Sequence, residues 1–282
     1  MKTGGFSTTA LRVAAARAAH QFLDVPPVFI DPLAVAMAGG KDSADLQTYL
    51  ARAAGNEAMP YLRALLAARS RLAEDALAAA VERGVRQYVV LGAGLDTFAY
   101  RNPHRGLRVF EVDWPVMQAL KRERLAEAGL STPASVSFVP IDFESQTLAS
   151  ALASGGVDGT APAFFSWLGV TPYLTRGAVM ATLQTVAAMP GGSGVTFDYA
   201  PSPDALDVER RRRFEAVAAR VAAAGEPFKT FIEPADLQRE LLAMGFTSVD
   251  DLGPAEINAR YFAGRTDGLK VGGLAHIATA LT

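Results

Sequence analysis

The chain has 282 residues, with 27 basic against 29 acidic side chains, three histidines and no cysteine. Half of it is hydrophobic and a fifth is charged, the proportions of a folded domain long enough to bury a large core. The absence of cysteine excludes disulfides, thiol catalysis and cysteine-ligated metal, and three scattered histidines (His20, His104, His276) argue against a histidine metal site. A net charge of −2 leaves no electrostatic footprint for nucleic acid. The longest strongly apolar stretch, Ala161 to Val170, is about half of what a membrane-spanning helix needs. A cytoplasmic protein acting on a small molecule is the expectation.

Residues 1–83 are alanine-rich and helical in pattern, with Pro26, Pro27 and Pro32 punctuating a loop. In the helix opened by Pro60, the apolar stripe runs through Leu62, Leu65, Leu66, Leu72, Ala73, Ala76, Leu77 and Ala80. Arg69 falls on that stripe. A guanidinium on a buried face needs an anionic partner, so Arg69 either grips a ligand carboxylate, pairs with a protein carboxylate or snorkels to the surface.

From there strand and helix signals alternate. Gln87 to Leu91 is a short β-branched run that stops at Gly92 and Gly94. Leu107 to Val112, Ser135 to Val139, Ala163 to Trp167 and Gly194 to Phe197 are further strands, with helical patterns over Val116–Ala128, Gln146–Ala153 and Arg176–Ala188 between them. Such alternation predicts a doubly wound, mostly parallel sheet, and the near-continuous apolar strands fit a sheet covered on both faces. After Pro201 and Pro203 comes an arginine-rich helix around Arg210 to Arg213, read as a solvated face, then another helix and two late strands near Phe246–Val249 and Gly273–Ala278. The expected organisation is a single α/β domain over 1–282: a helical cap over 1–83, a ligand-binding core over 84–200, and cap helices with the last strands over 201–282.

The best-defined site signal is Leu91-Gly92-Ala93-Gly94-Leu95-Asp96-Thr97, between a strand and a helix. Glycines there let the backbone turn sharply and approach a ligand, with main-chain N–H groups aimed at it. A dinucleotide site would carry a third glycine where Thr97 stands. Asp113 ends the next strand about 20 residues on, where an acid accepts hydrogen bonds from ribose hydroxyls or caps the following helix. Asp142-Phe143 follows the third strand, placed either to meet an adenine or to serve as a cap beside a core aromatic.

Taken in order, Gly92-Ala93-Gly94-Leu95-Asp96-Thr97, Phe110-Glu111-Val112-Asp113-Trp114-Pro115, Asp142-Phe143 and Leu168-Gly169-Val170-Thr171-Pro172-Tyr173-Leu174 resemble the leucine carboxyl methyltransferase family, especially its bacterial S-adenosylmethionine-dependent O-methyltransferase-like branch. The resemblance runs from about Thr9 to Asp198. It implies a class I methyltransferase fold, a Rossmann-like seven-stranded sheet, with S-adenosyl-L-methionine across its carboxyl edge. It also implies that Arg69 binds the methionine carboxylate, Gly92 and Gly94 pass beneath the cofactor, Asp113 holds the ribose, and Asp142 and Phe143 frame the adenine. Ala93, Asp96 and Trp114 share those segments and are counted with them. The family often has a glutamate five residues before the position of Tyr173; Leu168 stands there here, which puts the leucine-carboxyl substrate in doubt.

The expected activity is methyl transfer to a carboxylate or hydroxyl oxygen of a small molecule. No dedicated base stands out, which tilts the reading toward a carboxylate acceptor or a proximity-driven reaction. Tyr173, Tyr199 and His20 are the candidates for positioning substrate, each with a packing role as its alternative. Arg17 is placed to meet an anionic group or to sit in a salt bridge. The competing readings are an NAD(P)-dependent oxidoreductase, against which Thr97 counts, and a non-catalytic S-adenosylmethionine-binding protein.

Overall fold

The computed structural model describes residues 7–56, 58–141, 146–223 and 225–282. Four helices come first: α1 (Thr8–Leu23), α2 (Ala34–Met37), α3 (Ala44–Ala53) and α4 (Met59–Glu82). Ser7 and Ser43 cap α1 and α3 through their hydroxyls, and Pro60 opens α4 in the first turn, where its missing N–H costs nothing. The central run is β1 (Gln87–Leu91), α5 (Phe98–Arg101), β2 (Arg108–Asp113), α6 (Pro115–Glu127), β3 (Val136–Pro140), α7 (Leu148–Ser154), β4 (Ala163–Trp167), α8 (Arg176–Ala187) and β5 (Gly194–Tyr199). The tail adds α9 (Val208–Ala223), α10 (Pro234–Met244), β6 (Ser248–Leu252), α11 (Pro254–Tyr261) and β7 (His276–Leu281). The tail thus holds three helices where its pattern suggested two. Residues 254–261 form a short extra helix, opened by Pro254, between the two late strands.

The seven strands form one sheet in the order β3-β2-β1-β4-β5-β7-β6. All neighbours are parallel except β7, which runs antiparallel to both β5 and β6. Alternate residues of each strand serve opposite faces. Val89, Leu91, Phe110, Val112, Phe165, Trp167, Val195 and Phe197 meet Leu148 and Leu152 of α7, Val179, Leu183 and Val186 of α8, and Leu237 and Leu241 of α10. On the other face Tyr88, Val90, Val109 and Phe164 meet Leu77 and Ala80 of α4, while Ala64, Ala68 and Leu72 of the same helix pack with Ile257, Phe262 and Ile277. So α4, within the segment read as a cap, is one of the layers of the sheet, whereas α1, α2 and α3 pack onto α6 through Met117, Leu120 and Leu125. Among the described residues no helix is long and apolar enough to cross a membrane.

Candidate active site

The order of strands reverses between β1 and β4. In an open parallel sheet a crevice forms outside the carboxyl ends at such a point. Here it is a cleft of about 390 Å³, within the range of small-molecule sites. Its floor is Gly92 to Asp96 after β1, Asp113 and Trp114 after β2, and Leu168 to Val170 after β4. Its walls are Ala10, Val13 and Arg17 of α1 and Leu66, Arg69, Ser70 and Glu74 of α4. Tyr173, Leu174 and residues of the loop Gly225 to Lys229 complete its lining. A second hollow of about 400 Å³ lies at the opposite, amino edge of the sheet, between Arg101–Arg108 and Ser135, remote from the glycine turn.

The glycine turn is built differently from the expected donor cradle. The amides of Gly92 and Ala93 both donate to the Val112 carbonyl, at 2.8 and 3.2 Å, and the Gly94 amide donates to Asp113 Oδ2 at 2.5 Å. Its N–H groups are spent on fastening the turn to the end of β2. The glycines are needed for shape. Gly92 has a φ of +67°, and a Cβ there would sit 2.5 Å from Val170 Cγ2. Asp113 therefore holds the turn from below while lining the cleft. Its Oδ1 accepts from the Trp114 amide at 2.7 Å, and each oxygen keeps a further lone pair for a ligand hydroxyl. Burial pushes its carboxyl up, opposed by the two amides and by Lys121.

Asp96 also lines the cleft, but its side chain turns inward. Oδ1 caps the Phe98 amide at 2.8 Å and Oδ2 accepts from Arg17 at 3.0 Å. Arg17 bonds Asp31 as well, at 2.6 Å, and Asp31 accepts from the Thr97 hydroxyl at 2.8 Å. Arg17 is thus a salt-bridged arginine that ties α1 to the tail of the glycine turn. Arg69 is buried as its stripe position demanded and stands in the cleft, yet its charge is met by a protein carboxylate. Nη1 donates to Asp198 Oδ2 at 2.8 Å. Asp198 Oδ1 in turn accepts from the Gly169 amide at 2.5 Å, and a Cβ on Gly169 would lie 2.7 Å from the guanidinium. Asp142 and Phe143 lie outside the described residues.

Of the three positioning candidates, one is in the cleft. Tyr173 lines it, with its ring 5.5 Å from that of Phe228. Burial pushes the phenol up to about 12, with Arg69 opposing and Glu226 and Asp198 adding to the rise; at neutral pH it is a neutral hydroxyl. Tyr199 is not there. It is packed in the sheet core against Phe197, and its hydroxyl donates to Asp251 at 2.8 Å beside His276. His20 is not there either. Its Nδ1 lies 2.8 Å from Asp24, and its Nε2 accepts from the amides of Val28 and Phe29 at 3.0 and 3.2 Å. With both ring nitrogens engaged and 2% of its surface exposed, His20 holds the α1–α2 connection in place.

Sequence reading missed Glu226, Ser7 and Ser70. Glu226 sits in a loop with no period to mark it, and Ser7 Oγ, the cap of α1, donates to its Oε1 at 2.8 Å.

The leucine carboxyl methyltransferase family model matches residues 10–187. The chain is 32% identical over 291 residues, covering 95% of both proteins, to YktD of Bacillus subtilis (strain 168), named among the S-adenosyl-L-methionine-dependent methyltransferases. It is 34% identical over 233 residues to a Mycolicibacterium paratuberculosis protein (strain ATCC BAA-968 / K-10) named in the same class, covering 78% of this chain and 71% of that one. Among solved structures it shares its fold with a methyltransferase-named protein from Thermobifida fusca YX (TM-score 0.59, 19% identity, 88% of this chain and 92% of that one). A DUF574 family protein from Streptomyces avermitilis is similar too (TM-score 0.56, 21% identity, 87% and 94%). With the seven-stranded order and the cleft already placed, the matches settle the kinship: this chain belongs to the leucine carboxyl methyltransferase family, within the S-adenosylmethionine-dependent methyltransferases.

Proposed function

We propose that this protein transfers a methyl group from S-adenosyl-L-methionine to an oxygen, carboxylate or hydroxyl, of a small-molecule acceptor. The observation that carries the reading is the β1/β4 cleft, where Asp113 in the floor is fastened to the glycine turn and Arg69 stands in a wall. These residues fit the cofactor. Asp113 has lone pairs to hold ribose hydroxyls, the turn is bare enough for close approach, and Arg69 has donors beyond the one given to Asp198 to hold a carboxylate. Trp114 adds an apolar wall beside Asp113, and Asp142 and Phe143 remain the proposed frame of the adenine.

When bound, S-adenosylmethionine supplies the electrophilic methyl, so the protein needs neither thiol nor metal to make one. What the chain's own residues do is align and dry the site. Val13, Leu66, Met117, Leu168, Val170 and Leu174 present apolar surface that excludes water. Tyr173, held neutral, offers a hydroxyl to orient an acceptor rather than a base to deprotonate it. The acceptor is proposed to be a small molecule, neither nucleic acid nor membrane lipid, because the cleft of about 390 Å³ is of small-molecule size.

The test is calorimetric. S-adenosylhomocysteine should bind in the micromolar range, and Asp113→Ala should weaken it by roughly 1–3 kcal/mol through loss of charge-assisted hydrogen bonds. The absence of both heat and a thermal shift with the wild-type protein would overturn the reading. Unchanged affinity in the variant would place the ribose elsewhere.

A further inference from the structure

The two helices that wall the cleft carry an apolar patch at their far ends. After α1 the chain turns at Val25 and comes back along the helix's last turn. There the His20 ring accepts from the Val28 and Phe29 amides, and Gln21 donates to the Phe29 carbonyl at 3.1 Å and accepts from the Asp31 amide at 2.9 Å. This fold-back leaves Phe22, Leu23, Val25 and Ile30 on the outside. The start of α4, drawn alongside by the Arg63–Asp24 pair, adds Tyr61 and Leu62. These six side chains are 37–72% exposed, and they are six of the nine large exposed hydrophobic residues among the described ones. No exposed charge lies among them. The ionisable residues of 21–33 and 58–64 are Asp24, Asp31 and Arg63, all buried and paired, Asp24 with Arg63 and Asp31 with Arg17. At the edge, Arg265 donates to the Pro26 carbonyl at 2.6 Å and is neutralised by Asp267.

We infer that this patch is the contact face of a homodimer, in which a second copy of the chain packs on it about a twofold axis. Area supports a stable contact. The six side chains present about 600 Å² per copy, at the top of what the largest apolar patch of a monomer reaches. Two copies then bury about 1,200 Å², above the roughly 1,000 Å² that a specific interface needs. Charge selects the occupant. A membrane surface is held by lysines and arginines flanking the apolar side chains, and the arginines here, Arg63 and Arg265, are already spent on Asp24 and Asp267. An uncharged apolar face meets its own copy without repulsion, and a twofold axis is the symmetry that lets one patch serve both sides. None of the six lines the cleft, so the contact is separate from the site and does not rest on the reading of its chemistry.

The experiment is sedimentation of the full chain from low to high micromolar concentration. The wild-type protein should move from the monomer mass to twice that mass. Ile30→Glu and Val25→Glu, each burying an unpaired charge in the contact, should weaken self-association about tenfold or more. Leu242→Glu, at a comparably exposed leucine of α10 outside the patch, should leave it unchanged. A wild-type protein that stays monomeric throughout would overturn the assignment, whatever the variants do. So would a dimer that survives both patch substitutions, or one that Leu242→Glu disrupts equally. A monomer that co-sediments with phosphatidylcholine–phosphatidylglycerol vesicles, and loses them in Ile30→Glu, would give the patch to a lipid surface instead.

Discussion

At the scale of single residues, the titratable groups with the most to lose are those committed to structure. Arg63 donates twice to Asp24, at 2.8 and 2.9 Å, and His20 completes the group. Burial alone would raise the Asp24 carboxyl, but the hydrogen bonds from Arg63 and His20 and the charge of Arg63 outweigh it and hold the group below the usual carboxylate range. Its pKa in the folded state is therefore lower than in the unfolded chain. The stabilisation is complete above about pH 4 and is lost as pH falls through the folded value. Asp24→Ala strands a buried guanidinium and should cost about 3 kcal/mol at neutral pH in thermal or denaturant unfolding. The gap to the wild type should narrow below about pH 4; a gap independent of pH would show that Asp24 acts through packing. None of this was legible from the sequence. His20 and Tyr199 were singled out as functional types, and what disqualified them, Asp24 with two loop amides and Asp251, comes from tertiary contacts that no local pattern encodes. Arg69 was legible in half: its stripe position predicted burial, but its partner Asp198 is 129 positions away.

At the scale of elements, the central strands read well because parallel strands buried on both faces are continuous apolar runs. β1 and β4 fall where the runs fell, Gln87–Leu91 and Ala163–Trp167. β6 and β7 shifted by two or three residues from the apolar segments that announced them, because an antiparallel edge with one wetter face carries a mixed pattern. One strand position broke its own pattern. Glu111 lies in the buried stretch of β2 and pairs with Lys121 of α6 at 2.7 Å, both side chains 1% exposed. Burial pushes the Glu111 carboxyl up, with Lys121 opposing. Lys121→Met leaves that carboxylate without a counter-charge, with only the Tyr100 hydroxyl at 3.4 Å, and should destabilise by about 3–5 kcal/mol, whereas Glu111→Leu with Lys121→Met should recover most of the loss. Equal damage in the single and double variants would mean that packing, not charge pairing, joins β2 to α6.

At the scale of the whole molecule, the site is assembled from parts far apart in sequence. The floor comes from β1, β2 and β4, one wall from α1, another from α4, and the strap from residues 225–229. Only the floor carries a motif, which is why the floor could be read from the sequence and the walls and the 225–229 loop could not. A ligand touching every part couples their local stabilities. At a hundredfold excess over Kd, S-adenosylhomocysteine should add about 2.7 kcal/mol. Hydrogen exchange should slow at the start of α1 and along the strap as well as at the glycine turn. Protection confined to the turn would mean that α1 and the strap are not closed by the cofactor.

The position of β7 bears on how the chain comes together in time. β7 lies between β5 and β6 and is, among the described residues, the sole sheet neighbour of β6, pairing Tyr199 with His276 and Leu252 with Ile277. During synthesis β5 and β6 are complete before residues 276–281 exist, so both wait with unsatisfied edges that invite pairing with other chains. The parallel half of the sheet, with the glycine turn and Asp113, has no such dependence. Residues 276–281 therefore complete the pairing of two strands that precede them in the chain, and until they are in place β5 and β6 have no connection through the sheet.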